Sequence, residues 1–251
     1  METVAITGIN GFIGSRVAEE LLGNGYKVIG LSIEDKPVIE HDNLFYFQVD
    51  LTQWKDVQSI ILGSRIDALI HLAAIAHVGK EEKIPDEMYR RINYLAAKNV
   101  FKSAHLMDIR VFFASTIDVY GACKEHVWSE DINPEPVTMY GKTKYMAERC
   151  LQDLYKDKTE KYLIARFAPV YSKDRMTDVH KRIYINYPKL ALKLGTNPTY
   201  SFLALENVVK FIFFWISKGN QGYNIVNICD EKGVTAEDLI EREKAAGRAR
   251  Y

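Results

Sequence analysis

The sequence has no excess of either charge and little cysteine. Lysine plus arginine number 33, aspartate plus glutamate also number 33, and the formal net charge is zero. Such a balance argues against a nucleic acid or another polyanion as the main partner. The three cysteines are widely separated and match no metal-site spacing: Cys123, Cys150 and Cys229. We therefore expect reduced thiols, no bound metal ion and a cytoplasmic location.

Long apolar runs and linkers are also missing. The longest strongly apolar run, FIFFWI at 211–216, is far shorter than the roughly 20 residues that a bilayer span needs. The opening segment METVAITG has no basic region or cleavage site, so we expect no signal peptide and no membrane association. The 7 prolines and 15 glycines mark no linker, and 251 residues fit either one large domain or one domain with a modest second lobe.

Short apolar runs alternate with amphipathic helical patterns along most of the chain. This alternation predicts right-handed βαβ crossovers and a doubly wound parallel sheet, which binds ligands at the carboxyl ends of its strands. We predict strands at 4–7, 27–32, 44–50, 68–74, 110–116, 162–168 and 223–228.

A glycine-rich turn separates the first strand from the first helix. In ITGINGFIG, Gly8 suits a positive φ, Gly11 permits close approach of a pyrophosphate, and Gly14 permits close packing of the helix. The helix N-terminus would offer N–H groups and a positive dipole end to the phosphates. In this strand–turn–helix context the turn predicts dinucleotide binding.

Ordered motifs extend this prediction over residues 3–172. TGINGFIG, VDL (49–51), HLAA (71–74), STIDVYG (115–121), YGKTKYMAE (140–148) and ARFAPVYS (165–172) occur in that order. Together they resemble the extended short-chain dehydrogenase/reductases, which include the nucleotide-sugar epimerases and dehydratases. The resemblance implies a Rossmann-like doubly wound sheet in residues 1–168 and a small C-terminal substrate lobe in residues 169–251. It implies NAD(P) contacts at Gly8, Asn10, Gly11, Phe12, Ile13, Ser32, Asp50, Leu51, Leu72, Ala73, Ala74, Tyr140 and Lys144.

Three tyrosines precede a lysine by four residues: Tyr94/Lys98, Tyr120/Lys124 and Tyr140/Lys144. The last pair shares a face of a predicted helix, where the lysine charge would lower the pKa of the phenol. Thr116 ends a strand upstream and supplies the hydroxyl that the chemistry needs. By resemblance, Thr116 bonds the substrate oxygen, Tyr140 exchanges its proton and Lys144 also holds the nicotinamide ribose. We expect ordinary packing and solvated charge at the other two pairs.

Asp118 lies two residues beyond Thr116. Alternation along an extended segment would point both side chains toward the substrate. Related sugar dehydratases carry a glutamate there, which acts as a base. The alternative is a surface aspartate that bonds its own backbone.

Signals for cofactor type and substrate are weaker. Ser32 takes the place of the acid that selects NAD, but Glu34 and Asp35 follow it and Lys36 is the only nearby cation. These carboxylates slightly favour NAD over NADP. The basic segment 172–182 offers Arg175 and Arg182 to a nucleotide diphosphate, unless it is simply a solvated loop. For His71, packing or hydrogen bonding is a more common role than catalysis.

The sequence thus predicts an NAD(P)-dependent enzyme that acts on a nucleotide-linked sugar as an epimerase or dehydratase, through transient oxidation at a ring carbon. A ketoreductase that consumes NAD(P)H is the alternative within the enzymes. A non-catalytic dinucleotide sensor is a third possibility. The intact Thr116/Tyr140/Lys144 set argues against it, because a sensor does not need a proton-transfer group. By resemblance alone we expect a homodimer.

Overall fold

The computed structural model of the chain describes residues 1–76, 84–121, 127–184 and 197–248; Cys123 and Lys124 therefore lie outside the described residues. The chain divides into two compact units. Unit 1 comprises Met1–Arg166 and Val209–Asn227, and unit 2 comprises Phe167–Val208 and Ile228–Tyr251.

The described strands are β1 (Thr3–Thr7), β2 (Lys27–Ser32), β3 (Leu44–Gln48), β4 (Ala68–His71), β5 (Arg110–Thr116), β6 (Tyr162–Phe167), β7 (Val170–Tyr171), β8 (Thr199–Tyr200), β9 (Leu203–Ala204), β10 (Ile225–Ile228) and β11 (Val234–Thr235). The main sheet has seven strands in the order β10-β6-β5-β4-β1-β2-β3. The pairs β1–β2, β1–β4, β2–β3 and β4–β5 are parallel. The strand order reverses between β1 and β4, so the predicted doubly wound α/β fold is confirmed.

Three predicted strand ends were wrong by two or three residues, and the start of β1 and the end of β6 by one. β3 ends at Gln48 rather than at residue 50, and β4 ends at His71 rather than at residue 74. Residues 49–50 and 72–74 instead enter the loops at the carboxyl edge of the sheet. β10 begins at Ile225 rather than at residue 223, because Tyr223 N–H closes a turn on the carbonyl of Asn220 at 3.0 Å.

The helices are α1 (Gly14–Gly23), α2 (Trp54–Leu62), α3 (Asp86–Tyr89), a π-helical segment (Arg90–Leu95), α4 (Ala96–Leu106), α5 (Met139–Leu154), α6 (Thr177–His180), α7 (Leu205–Lys218) and α8 (Ala236–Ala245), with 3₁₀ turns at Ile117–Val119 and Thr159–Lys161. Apolar faces of α2, α4 and α5 pack on the main sheet, with Val57, Phe101 and Leu151 fully buried. Phe112 of β5 packs edge-on against Phe211 and Trp215 of α7. None of the helices in the described residues is long and apolar enough to cross a membrane.

Unit 2 has its own small core. Within it β8 pairs with β11 and β7 pairs with β9. Its buried apolar cluster consists of Val179, Ile183, Phe202, Leu239 and Ile240. A capping box between Thr235 and Asp238 starts α8.

A buried polar network ties α5 to two strands of the main sheet. Arg166 of β6 donates to both carboxylate oxygens of Glu148, at 3.2 and 2.7 Å. Ser115 of β5 donates to the same carboxylate at 2.5 Å. The side chains of Arg166 and Glu148 are 3% and 0% exposed, so this pair is shielded from solvent.

We predict that Glu148→Gln lowers the free energy of unfolding by about 3–5 kcal/mol, because it leaves the Arg166 charge buried without its counter-charge. Urea denaturation followed by circular dichroism measures the loss. The control is Arg149→Gln on the next residue of α5, which breaks exposed contacts with Gln152 and Asp153 and should change stability by about 0.5 kcal/mol or less. Equal losses in the two variants would contradict the role of the buried pair.

Candidate active site

The glycine turn after β1 has the geometry of an anion-binding turn. Gly8 has φ +70°, and a Cβ there would lie 2.8 Å from Cα of Ala73. A Cβ on Gly14 would overlap the carbonyl of Gly8, so the helix can start here only on glycine. Gly11 is exposed at the tip of the turn. α1, which is described throughout, has no acid in its first turn and no side-chain cap, so its N-terminal N–H groups suit a phosphate.

The loop after β2 is held against the glycine turn. Asn10 donates from Nδ2 to the carbonyl of Lys36 at 2.7 Å and accepts from the N–H of Val38 at 3.1 Å. Its amide therefore fixes the loop. Ser32 donates a hydrogen bond to the carboxylate of Glu34, and this bond holds the pKa of Glu34 below its ordinary value. A carboxylate is thereby fixed at the end of β2.

The exits of β3 and β4 hold the other predicted cofactor residues. Asp50 accepts from the N–H of Thr52 at 2.9 Å, and Leu51 is buried. After β4, the loop 72–76 is held by Asn93, which bonds the N–H and carbonyl of Ile75 at 2.8 and 2.9 Å. Sequence reasoning missed Asn93. Its only signal was a polar residue at a buried position of a helical pattern, and the π-helical geometry around it is often found at functional sites.

His71 is fully buried at the end of β4. Its Nδ1 lies 2.8 Å from Oγ1 of Thr7, and its ring packs against Phe101 and Phe113. Burial, and secondarily the charge of Lys144, hold the pKa of His71 well below its ordinary value. The ring is therefore neutral, in keeping with packing and hydrogen bonding rather than proton transfer.

The strand exit with Thr116 and the start of α5 lie against each other. The side chain of Thr138 caps α5 by accepting from the N–H of Gly141 at 2.9 Å. A Cβ on Gly141 would lie 2.6 Å from the carbonyl oxygen of Asp118. The missing side chain therefore lets the helix approach the exit of β5. This contact brings Tyr140, which precedes Gly141, to the strand end that carries Thr116.

Lys144 lies one turn beyond Tyr140 on α5 and is nearly fully buried, whereas Tyr140 is half-buried. Its Nζ is 4.2 Å from the centroid of the Phe113 ring. Burial lowers the pKa of Lys144 to about 7, although the charge of Glu148 acts in the opposite direction. This ammonium therefore loses its proton near neutral pH.

The extended conformation predicted at Asp118 was wrong. Ile117–Val119 form a 3₁₀ turn, so the alternation of an extended strand stops at Thr116. The backbone N–H of Asp118 donates to Oγ1 of Thr116 at 3.1 Å, which leaves the threonine O–H able to donate elsewhere. The assignment of Asp118 as a base now rests on the resemblance alone.

The two rival tyrosines have other contacts. Lys98 Nζ lies 5.8 Å from the ring centroid of Tyr94, a weak cation–π geometry on the π-helical segment. The buried hydroxyl of Tyr120 accepts from Arg166 at 2.8 Å and donates to Asn227 at 2.8 Å. Because that hydroxyl already accepts one hydrogen bond and donates another within the fold, Tyr140 is favoured as the reactive tyrosine.

Arg175 and Arg182, the predicted diphosphate contacts, are exposed in unit 2. Arg182 stacks its guanidinium on Tyr200, 5.4 Å from the ring centroid. The backbone of Arg175 pairs with that of Ser172. Their part in substrate binding stays a prediction.

Two surface pockets lie at opposite ends of the main sheet. One of about 450 Å³ is lined by Ile33, Val49 and Asp50, among others, at the exits of β2 and β3. The larger one, about 740 Å³, is lined by Thr3, Lys27 and Arg110 at the amino ends of their strands. The larger pocket is therefore remote from the glycine turn and Tyr140. Among the described residues, no group of three His, Cys, Asp or Glu could hold a metal ion.

The chain is similar in sequence to known proteins. The model of the "NAD dependent epimerase/dehydratase family" matches residues 4–229. The UDP-glucose 4-epimerase of Drosophila melanogaster is 32% identical over 178 residues, covering 61% of this chain and 49% of that protein. An uncharacterized protein of Methanocaldococcus jannaschii is 27% identical over 264 residues, covering 96% of this chain and 79% of that protein. The chain spans about half the length of the UDP-glucose 4-epimerases it matches.

Solved structures show the same fold. The UDP-Glc/GlcNAc 4-epimerase of Campylobacter jejuni superimposes with a TM-score of 0.83 at 19% identity, covering 100% of this chain and 86% of that one. MoeE5 in complex with UDP-glucuronic acid and NAD superimposes with a TM-score of 0.79 at 25% identity, covering 99% of this chain and 85% of that one.

Burial of Lys144 makes stability depend on pH. Its pKa in the folded chain is about 7, against an ordinary value of 10.5. Between these two values the unfolded chain keeps a proton on Lys144 that the folded chain has lost. We therefore predict that Lys144 makes the free energy of unfolding rise with pH, by up to about 1.4 kcal/mol per pH unit. Lys144→Met should remove that part of the slope in urea denaturation at pH 7, 8 and 9. Lys142→Met, an exposed neighbour on the same helix, should keep the wild-type slope, and identical slopes in all three proteins would refute the prediction.

Proposed function

Because the chain belongs to the NAD-dependent epimerase/dehydratase family, we propose that it is an NAD-dependent enzyme that acts on a nucleotide-linked sugar. It oxidises a ring carbon transiently, with Tyr140 as the acid/base. One observation carries the proposal: the contact of Gly141 with Asp118 sets Tyr140 against the strand exit of Thr116, with buried Lys144 one turn further along α5.

The roles of the three side chains follow from their surroundings. Thr116 already accepts a hydrogen bond from Asp118 N–H, so its own O–H donates to the sugar oxygen. Tyr140 takes the proton of the sugar hydroxyl as the ketone forms and returns it when the ketone is reduced. Lys144, when protonated, stabilises the phenolate. Bound NAD supplies the hydride acceptor and afterwards the hydride donor.

The residues around the glycine turn fit NAD. The first turn of α1 carries no acid and its N-cap makes no side-chain hydrogen bond, so the positive end of the helix suits a pyrophosphate. The Glu34 carboxylate, fixed by Ser32 at the end of β2, suits a ribose 2′-hydroxyl and would repel the 2′-phosphate of NADP. This carboxylate takes the place of the missing acid at position 32.

UDP-linked sugars are the first substrates to test, because the named relatives act on or bind them. An epimerase or dehydratase regenerates its NAD, whereas a ketoreductase consumes one NAD(P)H per turnover. Cofactor stoichiometry with a UDP-sugar therefore separates these candidates, and a sensor would give no product at all.

We also propose a cytoplasmic homodimer. The described cysteines Cys150 and Cys229 are free thiols, as reducing compartments favour, and light scattering would test the dimer.

For catalysis, we predict that Tyr140→Phe lowers turnover by at least about 10²-fold while NAD binding and thermal stability stay near wild type. The phenyl ring keeps the packing of the half-buried side chain but has no proton to exchange. The control is Tyr94→Phe, whose ring packs on the core and lies 5.8 Å from Lys98 Nζ; it should retain most of the activity. Near-normal turnover of Tyr140→Phe would remove Tyr140 from the mechanism.

For cofactor binding, we predict that Gly11→Val weakens NAD affinity at least about 100-fold in calorimetric titration. The branched side chain fills the space in which the pyrophosphate approaches the turn. A Cβ at Gly11 meets only the carbonyl of Gly8, at 3.1 Å, so the fold should survive. Gly23→Ala, at a site with nothing within 4 Å, is the matched control and should bind NAD as wild type does. Unchanged affinity in folded Gly11→Val would exclude the turn as the phosphate site.

A further inference from the structure

β3 forms one edge of the main sheet, and within the described residues it pairs with β2 alone. Its five residues, LFYFQ, include three aromatic side chains and no charge, proline or glycine. The unpaired N–H and C=O groups of an edge strand attract a further strand, so exposed edges commonly carry a charge or a proline. The sequence of β3 has neither, and it therefore suits a strand that another strand covers.

The two faces of β3 differ in what covers them. On one face the loop after β2 packs on the strand, and the Tyr46 hydroxyl donates to the carbonyl of Glu34 at 2.6 Å. Phe45 and Phe47 point to the opposite face, because side chains alternate along a strand. These two residues are 48% and 37% exposed, and both line the pocket of about 740 Å³. An aromatic surface therefore stays open on that face.

The open face continues the apolar core beneath α2. Phe45 and Phe47 pair in register with Ile29 and Leu31 of β2, which belong to the same buried cluster as Val57 of α2. The core on this side of the sheet thus ends at two exposed phenylalanines. Aromatic side chains of a further strand would extend the core past the edge, since cross-strand aromatic pairs stabilise a sheet.

The main-chain groups of β3 are arranged symmetrically about Tyr46. Val28 N–H donates to the carbonyl of Asn43 at 3.0 Å, and Val49 N–H donates to the carbonyl of Ser32 at 2.7 Å. Because such groups point alternately to the two sides of a strand, the N–H and C=O of Tyr46 point away from β2. Tyr46 also has one phenylalanine on each side in the sequence. An antiparallel copy of β3 centred on Tyr46 would therefore meet the same groups in the same order.

The pocket at the amino end of β3 has an excess of positive charge. Of its acidic lining residues, Glu2 pairs with Arg110, and Asp67 accepts from a main-chain N–H at 2.8 Å. Lys27 and Arg65 line the same pocket and add two further cations. Arg65 is exposed, so its charge is available to a partner at this end of the strand.

The carboxyl end of β3 is acidic. Asp50 and Asp56 line the pocket of about 450 Å³ there, and its lining, which lies within residues 33–60, contains no basic side chain. In an antiparallel pair of copies, the basic end of each lies beside the acidic end of the other, and such complementarity favours association. A parallel arrangement would bring like charges together.

We propose that a second copy of this chain covers the edge, with β3 pairing antiparallel to its counterpart about a two-fold axis at Tyr46. The two Tyr46 residues exchange both main-chain hydrogen bonds, and Phe45 of each copy lies opposite Phe47 of the other. A two-fold contact uses the same patch on both copies, and the aromatic order and the charges of this edge fit that symmetry. The inference rests on the proposed homodimer and assigns its interface.

Analytical ultracentrifugation of the whole chain measures the dissociation constant of the dimer. Phe45→Lys should raise this constant at least about 30-fold, because a charge replaces an aromatic anchor at the centre of the interface. The matched control is Phe214→Lys, since Phe214 is 47% exposed and lies on α7, which packs on β5. It should leave the constant within about twofold of wild type, as a surface change outside an interface does.

A charge exchange tests the antiparallel register. Asp56→Arg and Arg65→Asp each place like charges across the interface and should each weaken the dimer by about threefold to tenfold. The double variant restores opposite charges and should return to within about twofold of wild type, because the two sites are coupled across the interface. An effect of either substitution on α2 itself would persist in the double variant.

The outcomes separate this interface from the homodimer. An unchanged dissociation constant in folded Phe45→Lys, or a double variant no tighter than the single ones, overturns the interface, while a wild-type dimer keeps the proposed homodimer. A wild type that is monomeric throughout the concentration range overturns both. If Phe45→Lys does not fold, Phe45→Thr, which keeps a strand former without the ring, takes its place and should weaken the dimer at least about tenfold. Titration of the same samples with NAD tests the enzymatic proposal separately.

Discussion

The buried ion pair of Glu148 and Arg166 fixes the helix on which the candidate chemistry depends. Glu148 bonds β6 through Arg166 and β5 through Ser115, so one carboxylate sets the position of α5 against two strands. Separating the two partners of such a pair leaves a buried charge without its counter-charge. A shift of α5 away from either strand is therefore costly. Lys144 lies one turn before Glu148 and Tyr140 one turn before that. The orientation of both therefore follows from this pair.

At both ends of the candidate site, a glycine lets one segment of the main chain pack directly on the main chain of another. At the cofactor end, Gly14 packs on the carbonyl of Gly8, and at the catalytic end, Gly141 packs on the carbonyl of Asp118. Any Cβ at Gly14 or Gly141 would displace a main-chain carbonyl rather than a flexible side chain. The two contacts thus position groups from distant parts of the chain with little freedom, as an active site requires.

The sequence predicted those features that depend on local pattern. The seven-strand alternation, the glycine turn and the ordered motifs led to a doubly wound fold and to a family that the comparisons confirm. The alternation argument for Asp118 lost its basis because the strand ends at Thr116 and a 3₁₀ turn follows. Asn93 was missed because it bonds the backbone of Ile75, which lies 18 residues away in the chain. Local periodicity contains no information on such contacts, which depend on how strand exits meet a helix.

Lys144 links the stability of the fold to its proposed chemistry. Burial lowers its pKa to about 7, whereas neighbouring Glu148 acts to raise it. Glu148 is itself engaged by Arg166, so its charge compensates the burial of Lys144 only in part. A lysine at such a position destabilises the fold below its ordinary pKa, and packing alone would favour an apolar side chain. Strongly perturbed groups of this kind concentrate at functional sites. The loss of stability caused by burying Lys144 is therefore explained if this lysine acts on the phenol of Tyr140, one turn before it. The ion pair and Gly141 together fix that arrangement.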